Sequence, residues 1–368
     1  SNLSAAVFSF IAPSSSNGAT NNTIKNCIID GAGFTASGTG YGIFSGSDGE
    51  ASAQAPNSSN SIINNTIKKV VSAVWIAGAS SQDNLWTINL NEIGSVSPSA
   101  YVGFVGVYLT DCKNSTVSSN SIYNILSSAS NNVHGIIFDY GVNNSVIDKN
   151  NLVSIGYTGT GGYGGKGIDI FTSNANSSIT ISNNFISDIR GDSWSSLAND
   201  GIVGIRIGAY GGTNYTTGGI KIYNNTVSLG LNLGSTTFAG NSSGTRSAAI
   251  YFSSAATNID LRNNSFSTNL VNSNASAAKT FAIYSAAANT IFGSIDNNNY
   301  SVEGSQGVLA YLGADLTTMT ALRTAFGTNT KSRSVVPVFS NPTDLHLTNT
   351  AGVNWAFESA GTPISSVT

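Results

Sequence analysis

Short runs of alternating apolar and variable residues recur along the whole chain, and residues typical of turns separate them. One recurring unit has an aliphatic residue, two variable residues, an asparagine, a spacer and a second apolar residue, as in VSSNSI at 117–122. An alternation with a period of two predicts half-buried β-strands. Because the unit recurs at irregular spacing, we expect a fixed structural coil with loops of variable length.

The asparagine is the safest anchor of this unit, and about nine copies align on the pattern Asn-x-apolar. The anchors are Asn26, Asn65, Asn91, Asn120, Asn150, Asn184, Asn225, Asn264 and Asn298. The first copy departs from the others because it opens with Thr23 instead of an aliphatic residue. We expect each anchor at a bend, since asparagine tolerates left-handed backbone and its amide can bond the asparagine one coil above or below.

A second strand segment recurs between the anchors, and it consists of a small residue followed by alternating apolar and variable positions. It occurs at 73–76, 106–109, 135–138, 167–170, 204–207, 249–252 and 282–285. Equivalent strands of successive coils would pair in parallel, and parallel crossovers are right-handed. The pattern therefore predicts an all-β fold, a right-handed parallel β-helix of about nine coils. The alternative, a β-sandwich with Asn-rich turns, does not repeat one motif so often.

The pattern changes after residue 313, so we expect a β-helix over 1–313 and a C-terminal capping helix with an extended tail over 314–368. Asp315 is the predicted N-cap of the helix, and Gly327 is its predicted end. The expected apolar face consists of Leu316, Met319, Leu322 and Phe326. Residues 6–11 look like a coil strand without a preceding cap, as expected of a piece of a longer chain.

Composition narrows the function. Only 9% of the 368 residues are charged and the net charge is −3, without a basic stripe, which argues against a nucleic-acid partner. No apolar run reaches the ~18 residues that a membrane span needs. The two histidines lie far apart and there is no CxxC spacing, so we expect no metal site and no cofactor. Cys27 and Cys112 fall on coils about three apart, which predicts free thiols.

The outward positions of the second strand form one row along the stack. In order they are Trp75, Tyr108, Ile137, Asp169, Arg206, Tyr251, Tyr284 and Tyr311. Asp169 and Arg206 are expected to be neighbours, as either an acid and a base in a glycan groove or a cross-strand ion pair. The sequence favours the ion pair, because neither hydrolase-type paired aspartates nor a lyase-type aspartate cluster accompanies them.

Two further residues near this row are weaker candidates. Asp139 lies close to the end of an earlier strand, where it is a possible catalytic carboxylate. His134 precedes one of the strands, and a structural role at the turn is the expected one.

The aromatic members of the row are candidate ligand-binding residues. Trp75, Tyr108, Tyr251, Tyr284 and Tyr311 offer flat platforms for sugar rings. The alternative is that aromatics simply suit strand surfaces. Excursions at 31–57, 157–166 and 210–219 are rich in Gly, Ser and Thr and are expected to fold over one face, since loops commonly carry the function of a rigid scaffold.

The C-terminal stretch resembles the end of right-handed β-helix repeat proteins on the surface of Bacteroidetes-type bacteria, and the coils resemble the pectate-lyase-like β-helix superfamily. The matching positions are 299–300, 307–309, 322–327, 334, 337–339, 344–347 and 361–364. This resemblance implies export, by a type IX secretion system, to the outer cell surface or the extracellular space.

Two functions follow as expectations. The first is a non-catalytic cell-surface or secreted segment of a larger exported bacterial protein that acts in adhesion or carbohydrate binding. Its partners would be a polysaccharide or cell-surface glycan and the secretion machinery. The alternative is a polysaccharide lyase or glycoside hydrolase of the pectate-lyase-like class that uses the face of Asp169 and Arg206.

Overall fold

Parallel strands from successive coils stack along the molecule into long sheets. A computed structural model of the chain describes residues 5–12, 14–34, 39–47, 51–193, 196–235, 246–350, 352–358, 360–365 and 367. Sheet 1 consists of Thr23–Lys25, Ser61–Ile63, Thr87–Asn89, Thr116–Ser118, Val146–Asp148, Ile179–Ser182, Thr217–Tyr223, Ala256–Arg262 and Phe292–Asp296. Each strand pairs in parallel with its equivalent in the next coil, as predicted.

Two further stacks of strands complete the wall of the solenoid. Sheet 2 consists of Ile28–Asp30, Thr66–Lys68, Glu92–Ile93, Ser121–Ser127, Asn151–Tyr157, Phe185–Arg190, Thr226–Leu229, Ser265–Thr268 and Asn299–Val302. Sheet 3 consists of Ala6–Ile11, Thr39–Gly46, Val70–Ala77, Val102–Thr110, Val133–Phe138, Gly165–Ile170, Ile202–Ile207, Arg246–Phe252, Lys279–Ser285 and Gly307–Leu312. Sheets 2 and 3 meet where Val102 pairs with Ile125, and together with Asp315–Leu316 they form a 20-stranded sheet.

The remaining elements decorate this wall or close its end. Antiparallel pairs join Ala209–Tyr210 to Thr213–Asn214, Phe339–Asn341 to Asp344–Leu347, and Asp315–Leu316 to the last strand of sheet 3. A short parallel pair joins Asp83–Asn84 to Cys112–Lys113. The described helices are the α-helix Met319–Phe326 and the 3₁₀ helices Pro98–Ala100, Leu233–Ser235, Asn289–Ile291 and Trp355–Phe357.

Inward-facing aliphatic side chains stack from coil to coil into one continuous core. In sheet 3 the inward row is fully buried and consists of Ile43, Val74, Val107, Ile136, Ile168, Ile205, Ile250 and Ile283. Because the side-chain period of a strand is two, a slip of one residue would turn this row to the outside. The burial pattern therefore holds the register, and the predicted all-β parallel β-helix is confirmed.

Buried asparagines form a hydrogen-bonded ladder at the turn between sheets 1 and 2. At Asn150, the side-chain oxygen accepts hydrogen bonds from the backbone and side-chain amides of Asn120, at 3.0 and 2.9 Å. The Nδ2 of Asn150 donates to the backbone oxygen of Val117 and to Oδ1 of Asn184, at 2.9 and 3.0 Å. The predicted contact between asparagines of neighbouring coils is thus confirmed from Asn65 to Asn298.

Two details of the predicted turn are wrong. The left-handed residue is the one before the ladder asparagine, for example Ser119 with φ 54° before Asn120. At the first turn Asn26 occupies that left-handed position with φ 58°, and Cys27 stands where the ladder asparagine is expected. Cys27 donates its backbone amide to Oδ1 of Asn65 at 3.0 Å, so it ends the ladder without extending it. The predicted free thiols are confirmed.

The C-terminal helix caps the core, but its predicted start is wrong. Asp315 is extended instead, because its backbone pairs with Tyr311 at the edge of sheet 3. It therefore cannot be the N-cap of the helix. Thr318 is the N-cap, and its hydroxyl accepts from the amide of Ala321 at 3.1 Å. Gly327 ends the helix in the left-handed region, as predicted. The ring of Phe326 packs 5.6 Å from that of Phe292, which covers the open end of the core.

Replacement of Asn150 by alanine tests the ladder. We expect the free energy of unfolding to fall by about 2–5 kcal/mol, because the change leaves buried amides and a carbonyl without partners. Asn151→Ala is the matched control, since this neighbouring side chain is exposed, and it should change stability by less than about 0.5 kcal/mol. Denaturant titration measures the free energy of unfolding of both variants. Equally small losses in the two would show that the ladder contributes nothing to stability.

Candidate functional site

The outward row of sheet 3 has the predicted order. Strand pairing aligns Trp75 with Tyr108, Tyr108 with Ile137, Ile137 with Asp169 and Asp169 with Arg206. The same register continues through Tyr251 and Tyr284 to Tyr311. The alignment of the candidate residues is therefore confirmed, and the chemistry depends on what covers them.

Asp169 and Arg206 form a bidentate ion pair that is completely buried. Arg206 Nε lies 2.8 Å from Asp169 Oδ1, and Arg206 Nη2 lies 2.5 Å from Oδ2. Both side chains have 0% exposure. Arg206 Nη1 also donates to the backbone oxygens of Ala198 and Asn199, so the segment 196–200 lies over the pair. These two residues point outward from the strands but are buried beneath a loop, outside the main core. The repeat alone does not predict this second buried region.

His134 and Lys166 extend this buried cluster on the neighbouring outward row. His134 Nδ1 lies 3.1 Å from Asp169 Oδ2, but the alignment is poor and neither ring nitrogen makes a well-formed hydrogen bond to the described residues. The ammonium of Lys166 donates to the backbone oxygen of Gly164 at 3.0 Å. Both residues have 0% exposure. The ring of Tyr210, from the hairpin after Arg206, lies 5.9 Å from the imidazole.

Burial sets the protonation of this cluster. It lowers the pKa of His134 to about 4, although Asp169 partly opposes the shift. Burial together with the guanidinium of Arg206 lowers the pKa of Lys166 well below its usual range. Burial alone would raise the pKa of Asp169, but Arg206 and His134 outweigh it and bring the value to about 2. A neutral imidazole beside a charged ion pair is the resulting state near neutral pH.

Asp139 is held in a separate contact beside the cluster. Its carboxylate accepts hydrogen bonds from the hydroxyl of Tyr108 and from the backbone amide of Tyr140, both at 2.5 Å. Burial raises the pKa of Asp139, and these two donors oppose the shift. Because the carboxylate is already engaged with Tyr108, its geometry is that of a support for the aromatic ring.

The aromatic residues of the row stack mainly on one another. The rings of Trp75 and Tyr108 lie 3.8 Å apart at 15°, and those of Tyr284 and Tyr311 lie 4.2 Å apart at 6°. Tyr251 is only 4% exposed. Each stacked ring covers a face of its neighbour, so the faces that a sugar would use are partly taken. Binding by these residues stays a prediction.

Lys166 belongs to the cluster but is not a sequence-predicted site residue. The repeating strand unit begins at the small residue, and Lys166 lies just before it. That row aligns Val105, His134, Lys166 and Val203. A polar pair in an otherwise apolar row was the available signal. Residues 35–38 and 48–50 of the excursion at 31–57 lie outside the described residues.

Open grooves among the described residues lie elsewhere, between sheet 2 and the C-terminal tail. One, of about 530 Å³, is bordered by Asn232 and Asn269 on the coil side and by Pro337 and Phe339 on the tail side. No group of three or more metal-ligating side chains occurs in the described ranges. None of the helices that the structure describes is long and apolar enough to cross a membrane.

Comparisons with known proteins leave the function open. No protein-family model and no curated protein matches the chain. A similar solved structure is the A-module of a mannuronan C-5 epimerase from Azotobacter vinelandii, with 13% sequence identity and a TM-score of 0.38. The alignment covers 80% of this chain and 67% of that one. A likeness at this level carries no argument about the function of this chain.

Asp169→Asn tests the energetic role of the buried pair. We expect the free energy of unfolding to fall by about 3–5 kcal/mol, because Arg206 is left as an uncompensated buried charge. Asp260→Asn is the matched control: Asp260 and Arg262 form a similar bidentate pair whose side chains are 27% exposed. It should cost less than about 1 kcal/mol. Similar losses in the two variants would contradict the burial of the first pair.

The pH dependence of stability tests the state of His134. The unfolded imidazole takes up a proton near pH 6.5, whereas the folded one resists it down to about pH 4. The stability that His134 contributes is therefore complete above pH 6.5 and declines as the pH falls towards 4. Relative to His134→Gln, the wild type should lose up to about 3 kcal/mol over this window.

Denaturant titrations of both proteins at several pH values measure that difference. Asp83, whose pKa burial raises to about 6, acts with the opposite sign but is common to the two proteins, so it cancels. Asp169 titrates below this window. Parallel stability curves for the two proteins would mean that His134 is open to solvent.

Proposed function

We propose that this protein is a secreted or cell-surface β-helix that binds polysaccharide without cleaving it. The observation that carries the proposal is the complete burial of Asp169, Arg206, His134 and Lys166. General acid–base catalysis needs the catalytic groups within hydrogen-bond reach of the substrate. Here the segment 196–200 and Tyr210 stand between the charged groups and solvent.

The surface chemistry supports binding of glycans. Only 9% of the residues are charged, and Asn, Ser, Thr and Gly supply much of the polar surface. Amides and hydroxyls both donate and accept hydrogen bonds, as sugar hydroxyls require.

The wider setting is part of the same proposal. The chain acts as a right-handed β-helix segment of about nine coils within a larger exported bacterial protein, and its role there is adhesion. The resemblance of its C-terminal stretch to surface β-helix repeat proteins supports display outside the cell after export by a type IX system. The secretion machinery and a cell-surface glycan are the corresponding partners.

One observation favours a second candidate, a polysaccharide lyase or glycoside hydrolase. His134 has ring nitrogens without a well-formed hydrogen bond to any described residue, and the pKa of Lys166 is lowered. Bases that are active near neutral pH have these properties. If the segment 196–200 and the hairpin at Tyr210 moved aside, a sugar would meet both residues together.

Incubation with a panel of neutral and uronic-acid polysaccharides separates the two functions. Binding is followed by affinity electrophoresis, and cleavage by absorbance of unsaturated products and by reducing ends. We expect retarded migration with at least one polymer and no product. Product formation by the wild type that His134→Gln abolishes, with the fold retained, would contradict the proposal and establish the enzyme.

A further inference from the structure

The C-terminal tail and the outer face of sheet 2 enclose a groove that has its own chemistry. Ser228 lies on its floor, and strand pairing aligns Ser228 with Ser267 and Ser301, which line the narrower adjoining stretch. Equivalent strand positions lie about 4.8 Å apart along the stack. The three serines therefore form a regular row, in which Ser228 is half-buried at the groove and Ser267 and Ser301 are buried.

The two walls of the groove are unlike each other. Residues 230–232 together with Asn269 and Val271 form the coil side, and both asparagines are exposed. The tail side is formed by Pro337, Val338 and Phe339. One wall thus offers carboxamides, and the other offers an aromatic ring and a proline ring.

Asparagine side chains hold the tail wall in place. Asn299 Oδ1 accepts a hydrogen bond from the backbone amide of Val335, and Asn299 Nδ2 donates one to the backbone oxygen of Val335, each at 2.9 Å. Asn354 forms the same pair of hydrogen bonds with the backbone of Val338, again at 2.9 Å each. Asn299 and Asn354 thus act as two clamps on the tail. Pro337 further restricts the backbone between these two clamps. A wall that is fixed before the ligand arrives loses little conformational entropy on binding.

The groove of about 530 Å³ is lined by described residues that are all uncharged. In the adjoining stretch, which shares Ser228, Asn269, Pro337 and Phe339, Glu303 supplies a negative charge. An anionic sugar would meet no cation here and would be repelled at one end. A neutral sugar needs the hydroxyls, carboxamides and apolar ring faces that the groove provides.

We infer that this groove is the binding site for a neutral oligosaccharide. The inference rests on the proposed glycan-binding function and gives it a location and a ligand class. The sugar would lie over Ser228, with ring faces against Phe339 and Pro337 and hydroxyls against Asn232 and Asn269. The stacked aromatics of sheet 3 would then stabilise the wall without contacting the ligand.

Isothermal titration of the full chain with neutral and uronic-acid hexasaccharides tests the site. We expect neutral sugars to bind roughly tenfold or more tightly than acidic ones. Gly230→Trp fills the groove and Phe339→Ala removes one wall, and each should weaken neutral binding roughly tenfold or more. Trp75→Ala on sheet 3 is the control and should leave the affinity within about twofold. Gly230→Trp changes no tail residue, and its added Cβ meets the side chain of Asn269, so it stays informative if Phe339→Ala loosens the tail.

Each other outcome overturns a defined statement. Neutral binding that survives both groove variants, or that only Trp75→Ala removes, excludes the groove but leaves the proposed function standing. Preference for acidic sugars excludes the neutral ligand class. Failure to bind any glycan, with unchanged unfolding midpoints, overturns the proposed function itself.

Discussion

The hydrogen-bonded ladder of buried asparagines is the constraint on which the rest of the molecule depends. Each rung bonds the next through side chain and backbone, so every coil meets its neighbour in one register although loop lengths vary. That register places Asp169 beside Arg206 and aligns Ser228 with Ser267. The buried charge cluster and the open groove are therefore both consequences of the same repeating turn.

The outer faces of sheets 2 and 3 differ in what covers them. On sheet 3 the loops close over Asp169 and Arg206, and the charges satisfy one another in a low-dielectric interior. On sheet 2 asparagine clamps hold the tail to the wall at a few points, such as Asn299 on Val335, and an open groove remains beside residues 337–339. Charge is thus used for structure on sheet 3, while the part of sheet 2 beside residues 337–339 offers an uncharged groove to ligands.

The sequence predicts what the repeat governs. The anchor at Asn120 and the order of the row from Trp75 to Tyr311 follow from periodicity, because strand faces alternate strictly. The prediction from sequence fails at Asp315, because strand pairing at the edge of sheet 3 competes there with helix formation. The burial of Lys166 and the clamp of Asn299 depend on loop and tail contacts distant in sequence, which no local pattern encodes.

The central claim is that the buried charges on sheet 3 support the fold, whereas the ligand binds in the groove on sheet 2. A crystal structure of the chain with a bound neutral oligosaccharide tests it most directly. The account predicts sugar density between Ser228 of sheet 2 and Phe339, with Asp169 and Arg206 still paired beneath the segment 196–200. Density against His134 and Lys166, with that segment displaced, would contradict the account and make the buried cluster the functional centre.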